Sequence, residues 1–583
     1  MTSEVINTRF SLIIDAMSGR MGTFVVGLFL FCIYLGLGWF IMKPEIMWSP
    51  DEGAKWLQMH YLRWEDGLKI DIRYEGIELD PTLRFVPSET SKGLLKLQNG
   101  QMFFRRLPLF PALSKVFYSW LGHRGLVFLP AFGGALICSA TLQLLNRKDR
   151  RPAMWVLAAF ASPIFIYALL FWEHTLAGGL ALVAAWLVLR DGSATGLSPR
   201  PVPMKWVGAG LLFGISTALR LEVIIFAGAF LVAAWLILPK QRRGIVFAGI
   251  ILVLGLFIQA IVMKNLFGQP TPDNAAFLFY PLTYLSTAKW GALRDLLIGP
   301  ASDEAIDPGM IGSMWAVIAV VAFLLSIARQ TSRFIRNLWL ASMVVYILLA
   351  ASFLFTATPY RSTHGLLFTT PWLLLGYCRA QEIWSTESKK ARIVILTASL
   401  GLVGYIGGAV FLRASSPHGG LEWGSRFFLT FFPLIAIMAG WKAAGSLRQR
   451  QHTHLILAAL MFLGLGFQIR GLMSINKDKS LGQDLIQELS EAREMGYLLS
   501  SDLWWLPFNS TSIYAEEAIY IFQDEEREAA WLDLLISEQV SDVAVVTLNK
   551  DWLEHALITR PGFPFRLDQT RQIDNLWVLY LSK

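Results

Sequence analysis

Charge is what this sequence has least of. Only 16% of its 583 residues are Asp, Glu, Lys or Arg, against 54% hydrophobic, and the mean hydropathy is +0.48. A soluble domain carries about a quarter charged residues, so an ordinary water-soluble fold is excluded. Cysteine is scarcer still: Cys32, Cys138 and Cys378 lie inside or at the end of apolar runs, none in a ligand-like spacing. That pattern argues against both a disulfide framework and a zinc site. The net charge of +8 comes from Lys and Arg scattered through short loops. Such scatter fits membrane topology better than nucleic-acid binding, which needs a basic stripe.

Long apolar runs are what the sequence does have. "GTFVVGLFLFCIYLGLGWFIM" and "IVFAGIILVLGLFIQAIVM" each run about 20 residues without a charge, the length that crosses roughly 30 Å of hydrocarbon. The first follows a polar leader carrying Arg9 and Arg20, and no small-residue cleavage site follows it. It is expected to stay as a first span. The fold class expected is mainly α, a polytopic membrane protein of about thirteen transmembrane helices. Among the expected spans are 22–42, 153–171, 364–378, 426–441 and 453–470.

With the N-terminus inside, the loops "NRKDRR", "RDGSATGLSPRPVPMK", "PKQRR", "RQTSRFIR", "RAQEIWSTESKKAR" and "WKAAGSLRQRQH" are cytoplasmic. They hold about twenty Lys and Arg against about four on the other face, the asymmetry that orients multispan proteins. Segments 43–124, 264–310 and everything after about 471 then face outward. The organisation expected is a transmembrane module over 1–470, including the first outer loop 43–124, followed by a soluble extracytoplasmic α/β domain over 471–583. In that tail, "QDLIQELSEAREMGYLLSSD" reads as an amphipathic helix and "YIFQDEEREAAWLDLLISEQVSDVAVVTL" as strand, helix, strand.

Sorted by face, nearly all conspicuous polar residues fall outside: Asp51 and Glu52, Arg105 and Arg106, Glu173 and His174, Arg220 and Glu222, Lys264, Arg361 and His364, His418, Glu422 and Arg426. Span interiors carry almost no ionisable groups, so no ion or proton path is visible. Arg220 and Glu222 split the apolar stretch 206–238 into two pieces, placing their junction in a recess or, alternatively, in a salt bridge closing a helical hairpin. Trp172 serves as interfacial belt residue or site residue, and His174 as helix-end hydrogen bonder or ligand contact. Arg105 and Arg106 suit lipid headgroups as well as substrate. Asp51 and Glu52 follow Ser49-Pro50, a helix start signal, and acids favour a helix N-terminus. Equally, an acid beside several cations in a recess open to lipid suits transfer from a phosphate-linked donor. A carboxylate takes the proton from an attacking hydroxyl and cations stabilise the departing phosphate.

Five stretches carry a family resemblance: "SPDE" after the first span, "RRLPLFPALSKVFYSWLG" before the second, "FWEHTLAG", "TALRLE" and "GGLEWGSRFFLTFFPL". Together, over most of residues 20–445, the chain resembles the polyprenyl-phosphate-sugar-dependent glycosyltransferases of the GT-C superfamily, particularly bacterial relatives of the protein O-mannosyltransferases and the aminoarabinose lipid A transferase. The tail matches no family named here. The resemblance implies an inverting displacement at the anomeric carbon on the outer face of a bacterial inner membrane. An acid of the first outer loop acts as base, a role that falls on Asp51, with Glu52 orienting acceptor or base. Arg105, Arg106, Glu173, His174, Arg220, Glu222, Lys264, Arg361, His364 and Arg426 are the substrate-binding candidates. The implied partners are membrane lipid, a lipid-linked sugar donor and a glycan, lipid or protein acceptor, and a divalent cation is a possible cofactor. No glycine-rich phosphate loop precedes a helix, so a cytoplasmic nucleotide sugar is not expected. The rival readings are a transporter or flippase, which calls for broken helices and midplane charges, a ligase with a lipid-diphosphate donor, and an anchored binding protein. For the tail, a role in admitting or selecting the acceptor is expected.

Overall fold

The computed structural model describes residues 20–64, 68–87, 95–98, 100–104, 107–144, 157–190, 204–267, 309–328, 332–356, 365–378, 380–385, 388–407, 423–440, 447–560 and 563–583. The chain divides into two compact units: residues 1–42, 126–262 and 274–474 in one, and 43–125, 263–273 and 475–583 in the other. The loop 43–124 is therefore grouped with the tail, whereas the sequence reading assigned it to the transmembrane module.

The first unit is helical. Among the described residues, five helices are long and apolar enough to cross a membrane: Gly22–Phe40, Leu109–Gln143, Pro239–Leu266, Arg333–Phe355 and His452–Glu494. Five shorter apolar helices accompany them, including His174–Leu189, Met204–Leu219 and Val223–Ile237. The chain is a multi-pass membrane protein by these helices. Large apolar side chains such as Phe29, Val253, Phe257 and Leu348 are exposed on them, the surface expected of helices that meet lipid.

Three expected spans are not continuous helices. In 153–171 the helix Ile164–Tyr167 follows Pro163. In 364–378, Leu366–Thr369 and Leu373–Cys378 flank Pro371. In 426–441, a 3-10 turn over Arg426–Phe431 precedes Phe432–Ala439, which has Pro433 in its first turn. Proline removes an amide donor and crowds the preceding turn. Ile164–Tyr167, Leu366–Thr369 and Phe432–Ala439 are wholly buried, and broken helix is tolerated at membrane depth where protein surrounds it. Close helix packing accompanies this. A Cβ on Gly133 would lie 2.2 Å from the amide nitrogen of Leu176, so only glycine lets Phe128–Gln143 approach His174–Leu189 so nearly.

The second unit holds a five-stranded sheet in the order Ile519–Ile521, Leu498–Ser501, Asp542–Thr547, Leu576–Ser582, Arg566–Ile573. The first three strands run parallel, with Leu499 opposite Ile519 and Leu498 opposite Val543. The last two form an antiparallel hairpin that turns at Asp574, where φ is +57°, a conformation Asp tolerates better than most residues. Val543, Ala544, Val545 and Val546 are fully buried, as a central strand covered on both faces should be. The strand, helix, strand pattern expected in the tail is present as Ile519–Ile521, Glu525–Ser537 and Asp542–Thr547.

The first loop completes this unit. The Phe85 carbonyl accepts from the Ile521 amide at 2.8 Å, and the Phe85 ring meets Trp531 edge-on at 5.2 Å. Asp80 shapes that segment by accepting from the amides of Arg84 and Phe85 at 2.9 and 2.8 Å. The loop thus covers the edge strand of the sheet, whose exposed polar groups would otherwise invite foreign strands. A three-stranded sheet of Asp71–Ile72, Gln101–Phe104 and Leu95–Gln98 also forms within the loop.

Candidate functional site

In the second unit, Ser49 lies in extended conformation and starts the helix Pro50–Tyr61. Its hydroxyl accepts from the Glu52 amide at 3.3 Å. The Glu52 carboxylate reaches back to accept from the Trp48 amide at 2.7 Å. These are the two reciprocal bonds of a capping box, shifted by one residue at the returning end. Pro50 occupies the first helical position, where its missing N–H costs nothing. The cap accounts for Glu52 and does not require Asp51.

Asp51 is 7% exposed. Asp51, Lys55 and Gln58 recur at i, i+4 and i+7 and are all buried, so one face of this helix is a buried polar stripe. Further along, Trp56 stacks with His60 at 4.9 Å and with His123 at 5.9 Å. Partial desolvation lowers the His60 imidazole below its ordinary range, with Lys115 adding to the lowering and Glu516 opposing it. The His60 ring is consequently neutral near pH 7. Lys55 and Gln58 were not among the sequence candidates, although their four-residue and seven-residue spacing from Asp51 is the signal that could have found them.

In the first unit, the helices Met204–Leu219 and Val223–Ile237 are joined by the turn Arg220–Glu222. Arg220 Nη1 donates to Glu173 Oε1 at 2.8 Å, and Arg220 Nε to Glu222 Oε1 at 2.6 Å. The salt bridge closing a hairpin, the alternative held open on sequence, is present. A guanidinium between two carboxylates has its charge already balanced by them. His174 Nε2 lies 3.5 Å from Glu222 Oε1.

Arg426 sits differently. It is 2% exposed, and its guanidinium lies over the rings of Trp172 at 4.4 Å and Phe427 at 5.1 Å. A cation over an aromatic face is attracted by the ring quadrupole. Trp172 and Tyr167 also flank His174, at 5.2 and 5.6 Å between ring centroids. Phe427 was not singled out on sequence; it becomes legible only once the 3-10 turn places it over both arginines.

The structure brings Glu173, His174, Arg220, Glu222 and Arg426 into one neighbourhood of the first unit. It places Asp51 and Glu52 in the second. Lys264 is exposed near the end of the helix Arg242–Phe267. Arg105, Arg106, Arg361, His364, His418 and Glu422 lie outside the described residues. Among the described residues, no group of three or more His, Cys, Asp or Glu is arranged to hold a metal ion, so no step is assigned to the divalent cation.

By fold and site, the chain is a multi-pass helical membrane protein with a buried acid at the start of a loop helix and a charged aromatic cluster among the shorter apolar helices of its first unit. No family model and no curated protein matches it. It is similar to the crystal structure of ArnT from Cupriavidus metallidurans bound to undecaprenyl phosphate, with 11% identity over 95% of this chain and 97% of that one, at a TM-score of 0.48. Against the apo state of the same protein the identity is 13% over the same shares, at a TM-score of 0.41.

Proposed function

We propose that this protein is a membrane glycosyltransferase that moves a sugar from a polyprenyl-phosphate carrier to an acceptor hydroxyl on the extracytoplasmic side. The observation that carries the reading is the division of labour at the Pro50 helix: Glu52 closes the cap, and Asp51 stands beside it, nearly buried, in the same first turn. Ser49 and Glu52 close the cap, and we assign Asp51 a separate task. Proton acceptance from an acceptor hydroxyl is the chemistry a carboxylate there supplies.

In this reading the hydroxyl oxygen attacks the anomeric carbon and Asp51 takes its proton. The bond from that carbon to the phosphate oxygen breaks with inversion, and polyprenyl phosphate departs as the anion. Charge develops on the phosphate, so a fixed cation in a low-dielectric setting is worth more than one in water. Arg220 is assigned to the architecture. The N-terminus is placed in the cytoplasm and both the first loop and the tail outside, on the charge asymmetry of the loops.

The test uses purified full-length protein in nanodiscs, a panel of hexosyl polyprenyl phosphates and a membrane extract as acceptor source. Release of free polyprenyl phosphate is the readout. The transferase reading expects release with at least one donor, dependent on extract. Labelled lipid crossing a liposome bilayer, with no sugar transferred from any donor, would instead establish the flippase.

A further inference from the structure

The acid-bearing turn does not stand on the first loop alone. Asn509, from the tail, directs its Nδ2 at the carbonyls of both Met47 and Trp48, each 3.4 Å away. These are the last two carbonyls before the cap residue Ser49. Trp48 Nε1 in turn donates to Asp478 Oδ2 at 3.3 Å. On the helix itself, a Cβ added at Gly53 would lie 1.7 Å from the Phe508 carbonyl oxygen and 2.8 Å from its Cα. Glycine at that position is what lets the helix rest directly on the backbone of the tail. Leu506, Phe508 and Ser510 are fully buried, so the segment beneath Gly53 is a packed seat. At the far end of the helix, the Tyr61 hydroxyl donates to the Ala515 carbonyl at 3.2 Å.

We infer that Asn509 and the Gly53–Phe508 contact are positioning elements for Asp51: the tail sets where the base stands. This rests on the assignment of Asp51 as base. Asp51 lies two residues before Gly53 and three after Trp48, so both contacts bracket it within one helical turn. Neither Asn509 nor Phe508 touches the reacting atoms in this account. They act by holding residues 47–53, and proton abstraction is sensitive to displacements of well under 1 Å. A catalytic acid carried on a loop needs such a supporting shell, and here the shell comes from more than 450 positions away in the chain. The tail is thereby part of the catalytic loop's structure in addition to any part it takes in selecting the acceptor.

The experiment compares wild type with Asn509→Ala, Asp51→Asn and the double variant, full length in nanodiscs. Asn509→Asp, which keeps the size and removes the donor, serves in place of Asn509→Ala if that variant fails to fold. Hydrogen exchange at amides 51–54 is expected to accelerate about tenfold or more in Asn509→Ala, because the turn opens locally. Turnover should fall about 10- to 100-fold with the donor KM changed by less than about twofold. In the Asp51→Asn background, the same substitution should cost less than about threefold, since the group it positions is already disabled. Unchanged exchange, unchanged turnover, or a loss as large in the Asp51→Asn background as in wild type each overturns the positioning role. Wild-type turnover in Asp51→Asn alone would sink the base assignment first, which distinguishes that failure from the failure of Asn509.

Discussion

Two places in this molecule present a pair of acids at a helix junction, and they resolve their charge differently. At the hairpin of the first unit, Glu173 and Glu222 both bond to Arg220. At the start of the Pro50 helix, Glu52 bonds to the Trp48 amide and Asp51 shares its turn. In the first pair both acids serve the same cation, and the ion network is architecture. In the second, one acid serves the backbone and the other is proposed to serve chemistry. Acids adjacent in sequence therefore need not share a role.

The comparison breaks most visibly at Arg220. Arg220→Ala removes the only guanidinium bonded to Glu173 Oε1 and Glu222 Oε1 among the described residues and leaves buried carboxylate behind. Removing one partner of a buried pair costs about 3–5 kcal/mol. The expected outcome is a large fall in thermal unfolding temperature or failure to accumulate in the membrane, with any donor-binding loss following the loss of folded protein. If Arg220→Ala protein keeps wild-type stability and loses donor affinity, then Arg220 is a phosphate ligand and the reading of this acid pair as architecture fails.

A smaller effect sharpens the other side. Glu52→Ala leaves the buried Trp48 amide without its acceptor, at a cost of about 1–3 kcal/mol. Glu52→Gln should lose well under half of that, because Gln serves the same position in a capping box. Both are read by denaturant or thermal unfolding, with turnover per folded molecule close to wild type. A Glu52→Gln enzyme that is stable and inactive would move the base from Asp51 to Glu52.

Much of this was legible in the sequence because the relevant signals are local. The apolar runs announced the membrane helices, Ser49-Pro50 the start of a helix, and the alternation in "YIFQDEEREAAWLDLLISEQVSDVAVVTL" the strand, helix, strand of the tail. What was not legible depends on packing between distant segments. Pro163, Pro371 and Pro433 break helices that apolar composition alone reads as continuous spans, and the breaks are tolerated only because the surrounding protein buries them. The last expected span, 453–470, runs on without interruption to Glu494 in a single helix from Leu447, since neither Gly471 nor Gly482 is enough to stop it and no proline intervenes. The grouping of 43–125 with the tail has no local signature either. Gly53 and Asn509 are ordinary residues until Phe508 is placed against one and the Met47 and Trp48 carbonyls against the other.

The central claim is that Asp51 accepts the proton, and Asp51→Asn tests it most directly. The substitution keeps the size and much of the hydrogen bonding of Asp51 and removes its basicity. With purified protein, a hexosyl polyprenyl phosphate that the wild type uses, and unfolding followed in parallel, turnover should drop by about 10²–10⁴ while donor affinity and stability hold. A helix-start role predicts the reverse, a stability loss of at most about 1 kcal/mol with nearly normal turnover. Wild-type turnover in folded Asp51→Asn protein would contradict the account.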